Sequence, residues 1–544
     1  MSTKFVFLTG GVISSLGKGI TAASLGALFT ARRLRTTIVK IDGYLNVDAG
    51  LMSPYEHGEV FVTADGGETD LDIGHYERFL GAHLSKGNNI TSGKVYMSVI
   101  QKERRGEYLG KTVQVIPHIT GEIREWLLAA AAGFDVCIVE IGGVVGDIES
   151  MSFLEAARQL KLKMPADCTF VHLALLPYID YINENKTKPV QNSVRELLSK
   201  GIQPDIVICR TKRGVSDAER AKIAMFSNVA DDCVFSSADA ASKYVVPQML
   251  AEERVDERVL QRLGLAHHPL LDFDKWERFA ESVRAQSEYP VVRVAFVRKY
   301  VVNADNYVSL IEALTHSSIA LRVRVELVYI DSEAESMHAE LESCDCVLVP
   351  GGWGSRGIEG KVSAVAWARE ADVPFLGICY GYQLAAVEFG RSTLGLTDCH
   401  SVEVKPECAH PVIAEINTVL GGTSDDTGFC FPRKIRVGAR RVFVREGTLL
   451  SRIYGGATEV TERYRHRYCF NSAYKQRFED AGMRFSSHNS DDGQETQETI
   501  ELPDRRFFLG VQFHPELLSG PFAPHPIITE FLRAGAHKHA HVHK

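Results

Sequence analysis

The clearest chemistry in this chain sits around one cysteine. Cys379 stands in Gly377-Ile378-Cys379-Tyr380-Gly381, after the apolar Phe375-Leu376 and before a helical pattern that begins Tyr382-Gln383-Leu384. Glycine two residues before and two after a nucleophile is the elbow pattern, here with Cys in place of Ser. The glycines permit the tight turn that lifts the sulfur clear of the backbone. The helix N-terminus beyond it favours thiolate over thiol and offers N–H donors to an oxyanion. Cysteine is more commonly a buried structural residue, and the paired glycines argue against that here. A thiolate nucleophile needs a base, and residues 507–513 read as a strand ending in His514-Pro515-Glu516. On an extended segment residues i and i+2 face one side, so His514 and Glu516 can form an orienting pair. Gly351-Gly352 is a second glycine turn able to supply another oxyanion N–H.

Another set of candidates opens the chain. Residues 4–9 read as a buried strand that breaks into Gly10-Gly11-Val12-Ile13-Ser14-Ser15-Leu16-Gly17-Lys18-Gly19-Ile20, followed by a helical pattern rich in Ala and Leu. Strand, glycine-rich turn, lysine and helix together make a phosphate cradle. Backbone N–H groups turn onto the anion, the helix dipole assists, and Lys18 adds a point charge. The literal P-loop pattern wants Gly six residues before the Lys and Ser or Thr after it, whereas Val12 and Gly19 stand there. An ordinary turn with a solvated Lys is the alternative. The next strand, 37–41, ends in Asp42, which places Lys40 and Asp42 at the strand end where ligands of open α/β sheets gather. An irregular stretch, 43–74, then holds Asp48, Tyr55, His57, Glu59, Asp65, Glu68, Asp70 and Asp72. Carboxylates beside a triphosphate usually serve Mg²⁺. Strand 135–140 ends in Glu140 and runs into glycines, the shape of a Walker-B-type metal site. Glu140 would complete an Mg²⁺ shell with a carboxylate from around Asp72, or it is a solvated acid at a strand end. Farther on come the basic Lys186-Thr187-Lys188-Pro189-Val190-Gln191, a strand ending in Arg210, and Lys222 on an amphipathic helix.

These side chains need scaffolds. Strands alternate with helices through both halves, which predicts an α/β protein with two doubly wound, mostly parallel sheets. A chain of 544 residues is too long for one core. The apolar strand signal lapses over 267–290, where 272–286 read as one helix, and a fresh strand starts at 291. The expected domains are therefore 1–266 and 291–544, joined by a linker at 267–290. A net charge of -8 argues against general nucleic-acid binding. Eleven cysteines without regular spacing argue against zinc or disulfide frameworks and for a reducing, cytoplasmic setting. No apolar run approaches the ~20 residues that span a bilayer, and the His-rich tail from 536 onward is expected to be irregular.

Read together, these segments resemble the CTP synthase family over nearly the whole chain. The most specific matches are 9–20, Met52-Ser53-Pro54-Tyr55-Glu56-His57-Gly58-Glu59-Val60, 102–110, Glu140-Ile141-Gly142-Gly143-Val144-Val145-Gly146-Asp147-Ile148-Glu149 and Lys186–Gln191. The second half resembles a class I glutamine amidotransferase and the first a P-loop-like amidoligase. The resemblance implies that glutamine is hydrolysed at Cys379 through a thioester, with His514 as base and Glu516 orienting it. It places the oxyanion on the N–H groups of Gly352 and Tyr380, and the glutamine on Gln383, Glu403 and Arg467. It implies that the ammonia reaches the first domain, where ATP phosphorylates O4 of UTP and ammonia displaces phosphate to give CTP. On the same basis Ser15, Leu16, Gly17, Lys18, Gly19 and Ile20 hold ATP phosphates, Asp72 and Glu140 hold Mg²⁺, and Arg210 and Asp239 lie near the adenine. Ser14, Lys186, Thr187, Lys188, Gln191 and Lys222 would meet UTP, while Asp147, Ile148 and Glu149 lie where CTP inhibits as product. A homotetramer, filaments, and GTP as an allosteric ligand are also implied.

The sequence departs from that pattern at several places. Gly43 and Ala49 stand where Pro is expected, and Tyr380 and Tyr382 flank the elbow where aliphatic residues are more usual. The segment linked to GTP is split, with Gly421-Gly422-Thr423 separated by 424–434 from Ile435-Arg436. A cobyrinate-type amidating enzyme would also explain the phosphate loop and the Cys elbow, though not the basic 186–191 run. A catalytically idle assembly subunit would be expected to have lost at least one of Cys379, His514, Glu516, Lys18, Asp72 and Glu140.

Overall fold

The computed structural model describes residues 2–298, 304–416, 435–491 and 493–540. It divides into two units, Met1–Phe61 with Glu68–Arg284, and Val62–Gly67 with Ala285–Lys544.

In the first unit a seven-stranded sheet runs in the order Val234–Ala238, Ile206–Thr211, Cys168–Leu175, Lys4–Gly11, Val136–Ile141, Thr36–Asp42, Asn89–Thr91. Every pairing is parallel. The long strands are apolar on both faces because helices cover both, the usual state of a parallel sheet. Phe5, Phe7, Val139 and Phe170 fill one such face. Parallel strands all end on one edge. That edge receives the loop after Gly11, Lys40 and Asp42, Glu140, the segment after Leu175, and Arg210. Helix Lys18–Ala31, built largely of Ala, Gly, Ser and Thr, is small enough in section to be buried along nearly its whole length. It packs against helices Asp72–Leu80 and Val246–Glu252. The stretch expected to be irregular up to Gly74 thus yields Asp72 at the head of a helix.

The expected linker holds helix Asp274–Arg284 and a 3₁₀ turn, Ala285–Glu288. Trp276 packs on Phe79 at a ring separation of 5.0 Å, and Phe279 meets Tyr244 edge-on at 5.2 Å. Those contacts make the helix part of the first unit.

The second unit has a nine-stranded sheet in the order Arg324–Asp331, Val291–Arg298, Cys346–Val349, Phe375–Ile378, Phe508–Val511, Thr496–Glu501, Arg484–Asn489, Arg436–Val444, Glu459–His466. The first five strands are parallel and the remaining pairings antiparallel. Two apolar clusters cover its faces. Strand Phe375–Ile378 lies between Cys346–Val349 and Phe508–Val511, with Ile378 opposite Val511 and Gly377 opposite Val349. Cys379, Gly351-Gly352 and His514 therefore all leave the carboxyl ends of three adjacent parallel strands.

Residues 417–434, which include Gly421-Gly422-Thr423, lie outside the described residues. Arg436 opens a strand, where its guanidinium is buried and ion-paired to Glu498 at 2.8 Å, with Thr496 at 3.1 Å. The His-rich tail begins inside helix Pro526–Ala540 instead of in an irregular terminus. Among the described residues no helix is long and apolar enough to cross a membrane. Removing one member of a buried ion pair strands the other charge, so Arg436→Met should cost about 3 to 5 kcal/mol. Urea unfolding of the full chain measures it, and a loss well under 1 kcal/mol would show that Glu498 finds another partner.

Candidate active sites

Cys379 has φ +52° and ψ −97° and caps helix Tyr380–Ser392. A non-glycine residue in that left-handed region is strained, and it persists because its surroundings over-determine it. The Cys379 N–H donates to the Val511 carbonyl at 2.7 Å. A Cβ added at Gly381 would collide with the Val349 carbonyl, which explains the glycine two residues after the sulfur. The thiol points at the Arg465 carbonyl, 3.8 Å from Sγ, and receives Nε2 of Gln512 at 3.6 Å.

His514 Nδ1–H donates to Glu516 Oε1 at 2.7 Å. The pairing does not come from an extended segment. His514 caps a 3₁₀ turn, Pro515–Leu518, and that turn brings the carboxylate back onto the ring. Nε2 is buried and completes no hydrogen bond within ordinary limits, yet it faces the sulfur closely enough for charge there to act on the ring. Burial alone would favour the neutral ring, but the Glu516 carboxylate and the Cys379 sulfur outweigh it and hold His514 well above the usual histidine range. The upward shift favours the imidazolium, the form that can give a proton to a departing amine. A Cβ at Gly351 would sit 3.1 Å from His514 Cε1 and 3.7 Å from Cys379 Cβ, so the glycine turn lies directly against the pair.

The residues expected to hold glutamine are distributed unevenly. Gln383 donates to the Tyr468 carbonyl at 2.9 Å and to Gln512 Oε1 at 3.2 Å, reaching Cys379 through Gln512. Glu403 accepts the Gly354 N–H at 3.1 Å. Arg467 is exposed, and among the described residues no bond joins it to the Cys379 group. Gln512 escaped the sequence reading. Its signal was available: it lies two residues before His514, immediately after strand Phe508–Val511.

In the first unit Gly17, at φ +96°, caps helix Lys18–Ala31, a conformation glycine adopts without strain. Val12 and Ser15 also have positive φ, at 82° and 56°. Leu16 and Gly19 are buried, Ile20 is half-buried, and Ser14 and Ser15 are exposed on the loop. Lys18 Nζ donates to the Gly143 carbonyl at 2.7 Å. A Cβ at Gly19 would strike the Asp72 carboxylate, so helix and acid are in contact. Lys40 links the two predicted metal acids: its Nζ is bonded to Asp72, and Glu140 Oε1 lies 3.2 Å away. Burial would raise Asp72, but the Lys40 ammonium, with His75 and Lys18, holds it below the usual carboxylate range. Burial raises Glu140 despite Lys40, and the Tyr76 hydroxyl donates to it.

Of the expected nucleotide contacts, Arg210 and Asp239 form an ion pair at 2.8 Å. Thr187 Oγ1 accepts from Gln191 Nε2 at 3.1 Å at the head of helix Lys188–Ser199. Lys186 pairs with Glu184 at 2.8 Å, while Lys188 and Lys222 are exposed. Asp147 Oδ2 accepts the Val144 N–H at 2.8 Å, and Ile148 and Glu149 are exposed. A Cβ at Gly43 would come within 2.8 Å of Glu149 Cβ. This close approach leaves no room for the proline expected there.

A glycine-rich loop at the edge of one parallel sheet and a cysteine elbow at the edge of another give the chain two separate candidate sites. The profile described as CTP synthase N-terminus matches residues 4–265, and glutamine amidotransferase class-I matches 302–534. The CTP synthase of Methanopyrus kandleri is 48% identical over 542 residues, covering 98% of this chain and 99% of the relative. That of Acidiphilium cryptum is 49% identical over 539 residues, covering 98% of both. The solved Trypanosoma brucei CTPS glutaminase domain with bound acivicin is 35% identical, with a TM-score of 0.41, and covers 45% of this chain and 94% of its own. The chain belongs to the CTP synthase family, whose members are glutamine-hydrolysing ligases of pyrimidine nucleotide synthesis.

Glu516→Gln removes the charge that lifts His514. The imidazolium then loses its proton at lower pH, so the alkaline limb of glutamine hydrolysis should move down in pH and kcat should fall about 10²-fold or more. An unmoved alkaline limb would rule out Glu516 as the cause of the raised histidine.

Proposed function

We propose that this chain converts UTP to CTP at the expense of ATP, using ammonia drawn from glutamine at Cys379. The observation that carries the reading is the strained elbow at Cys379 beside a histidine hydrogen-bonded to Glu516, whose carboxylate favours the imidazolium. The sulfur attacks the side-chain carbonyl carbon of glutamine, and the oxygen takes the electron pair as an oxyanion facing the N–H groups of Gly352 and Tyr380. Collapse to the thioester breaks the C–N bond, and His514 gives its proton to the departing nitrogen. Water then cleaves the thioester to glutamate, with the neutral ring accepting its proton. In the first unit O4 of UTP takes the γ-phosphoryl group of ATP, leaving ADP. Ammonia displaces that phosphate at C4, which yields CTP and inorganic phosphate.

Asp72 and Glu140 fit a magnesium ion in one respect that matters: two hard carboxylates converge on a single ammonium and so lie within reach of one cation. Among the described residues no set of three or more acidic, His or Cys ligands converges. The remaining positions therefore suit phosphate oxygens and water, the common arrangement for Mg²⁺. When bound, the ion would offset charge on the triphosphate. Lys18 and the N-terminus of helix Lys18–Ala31 orient the phosphates, and Lys40 keeps the two acids together. Product inhibition by CTP and a homotetramer are part of the same proposal and rest on the family resemblance.

The direct test supplies UTP, ATP, Mg²⁺ and glutamine, and follows the absorbance change from uracil to cytosine. CTP should appear only with all four. Glutamate formation without CTP would keep the glutaminase and overturn the acceptor. Cys379→Ala should lose at least 10⁴-fold of glutamine-dependent synthesis, on the order of a deleted nucleophile, and still make CTP from ammonium salts. Loss of both activities, with unfolding unchanged, would contradict two separate sites.

A further inference from the structure

The Gly351-Gly352-Trp353-Gly354 turn must hold a peptide N–H toward an oxygen that is charged only in the transition state, yet glycine peptides rotate easily. Two tyrosine hydroxyls bracket it. Tyr307 Oη donates to the Gly351 carbonyl at 3.5 Å, and Tyr380 Oη donates to the Gly354 carbonyl at 2.8 Å. The first bond bears on the peptide that matters. The Gly351 carbonyl and the Gly352 N–H belong to one peptide unit, and in a trans peptide they point in opposite directions. Fixing the carbonyl therefore fixes the aim of the N–H. Among the described residues that N–H donates no hydrogen bond. The far end of the turn is held on both sides of Gly354, by Glu403 at its N–H and Tyr380 at its carbonyl. The Tyr380 ring also lies under the turn, 3.8 Å from where a Gly352 Cβ would be. Burial pushes the Tyr307 hydroxyl up to about 12 and raises Tyr380 as well, so both remain protonated donors wherever the enzyme works.

We propose that Tyr307 and Tyr380 are positioning residues, whose hydroxyls latch the glycine turn by its carbonyls and hold the Gly352 N–H toward the carbonyl oxygen of the bound glutamine. The inference rests on the glutaminase reading above. Neither hydroxyl bonds to the sulfur or the imidazole, so removing it should affect stabilisation of the tetrahedral oxygen without affecting the nucleophile.

The test uses the full-length chain and the variants Tyr307→Phe and Tyr380→Phe, which keep each ring and remove one hydroxyl. Glutamate release and the rate of Cys379 alkylation by iodoacetamide are measured side by side. Deleting an oxyanion donor outright costs about 10² to 10³ in kcat. Loosening one should lower kcat about 10-fold in each variant, with the KM for glutamine changed less than about twofold. Alkylation needs the thiolate but no oxyanion hole, so its rate and pH profile should match the parent chain. The proposal is overturned if both variants hydrolyse glutamine within twofold of the parent. It is equally overturned if alkylation slows in step with hydrolysis, or if a lowered melting temperature accounts for the loss. A parent chain that releases no glutamate would defeat the glutaminase reading itself, a result distinct from any of these.

Discussion

The hydrogen bond from the Cys379 N–H to the Val511 carbonyl ties the second unit's chemistry to its sheet. It continues the parallel ladder one step past the last strand residue, at the point where the chain must turn into a helix. Because the ladder holds there, the backbone accepts a left-handed conformation at a residue with a side chain, and the sulfur projects beyond the sheet edge. The neighbouring strand, fixed in the same register, delivers Gln512 to the sulfur and His514 just past it. The antiparallel strands beyond play a supporting part: the Glu498 backbone carbonyl accepts the Gln512 N–H and Arg465 offers its carbonyl to the thiol.

The first unit uses the same edge of a parallel sheet for a different electrostatic task. Its buried acids would repel one another, and Lys40 between Asp72 and Glu140 relieves that repulsion. Lys18 enters the same field, with its own ammonium disfavoured by burial and restored in part by Glu140 and Asp72. One unit thus gathers mixed charge at its sheet edge, while the other brings a single cysteine–histidine–glutamate set together.

Much of this was legible in the residues. Strand ends and glycine turns located Lys18, Lys40, Glu140, Cys379 and His514, because backbone geometry at a parallel sheet edge leaves a local signature. The two-unit division near 284 was also marked by the lapse in strand signal, though Trp276 and Phe279 commit that helix to the first unit for reasons of packing with Phe79 and Tyr244, which lie far off in the chain. What local pattern could not show was anything made by contact between distant segments. The Arg210–Asp239 pair, Lys40 bridging two acids, and the Gly43–Glu149 approach are of that kind. The His514–Glu516 pair was found with the wrong geometry, since a proline after His514 makes a turn where alternation suggested a strand. The antiparallel half of the second sheet was missed because its strands are rich in polar and charged residues; in Glu459–His466 the buried Glu462 bonds to Tyr454 and His525, and Arg463 donates to the Val62 carbonyl.

The dihedral angles at Cys379 have an evolutionary side. A residue there in left-handed backbone costs about 1 to 3 kcal/mol, and glycine alone would relieve it freely. The substitution that would relieve the backbone strain at that position is thus one that abolishes the nucleophile. Drift toward greater robustness and retention of activity pull in opposite directions at a single codon. An intact cysteine in so strained a position is a mark of selection for chemistry, one that can be read from backbone angles without comparing sequences.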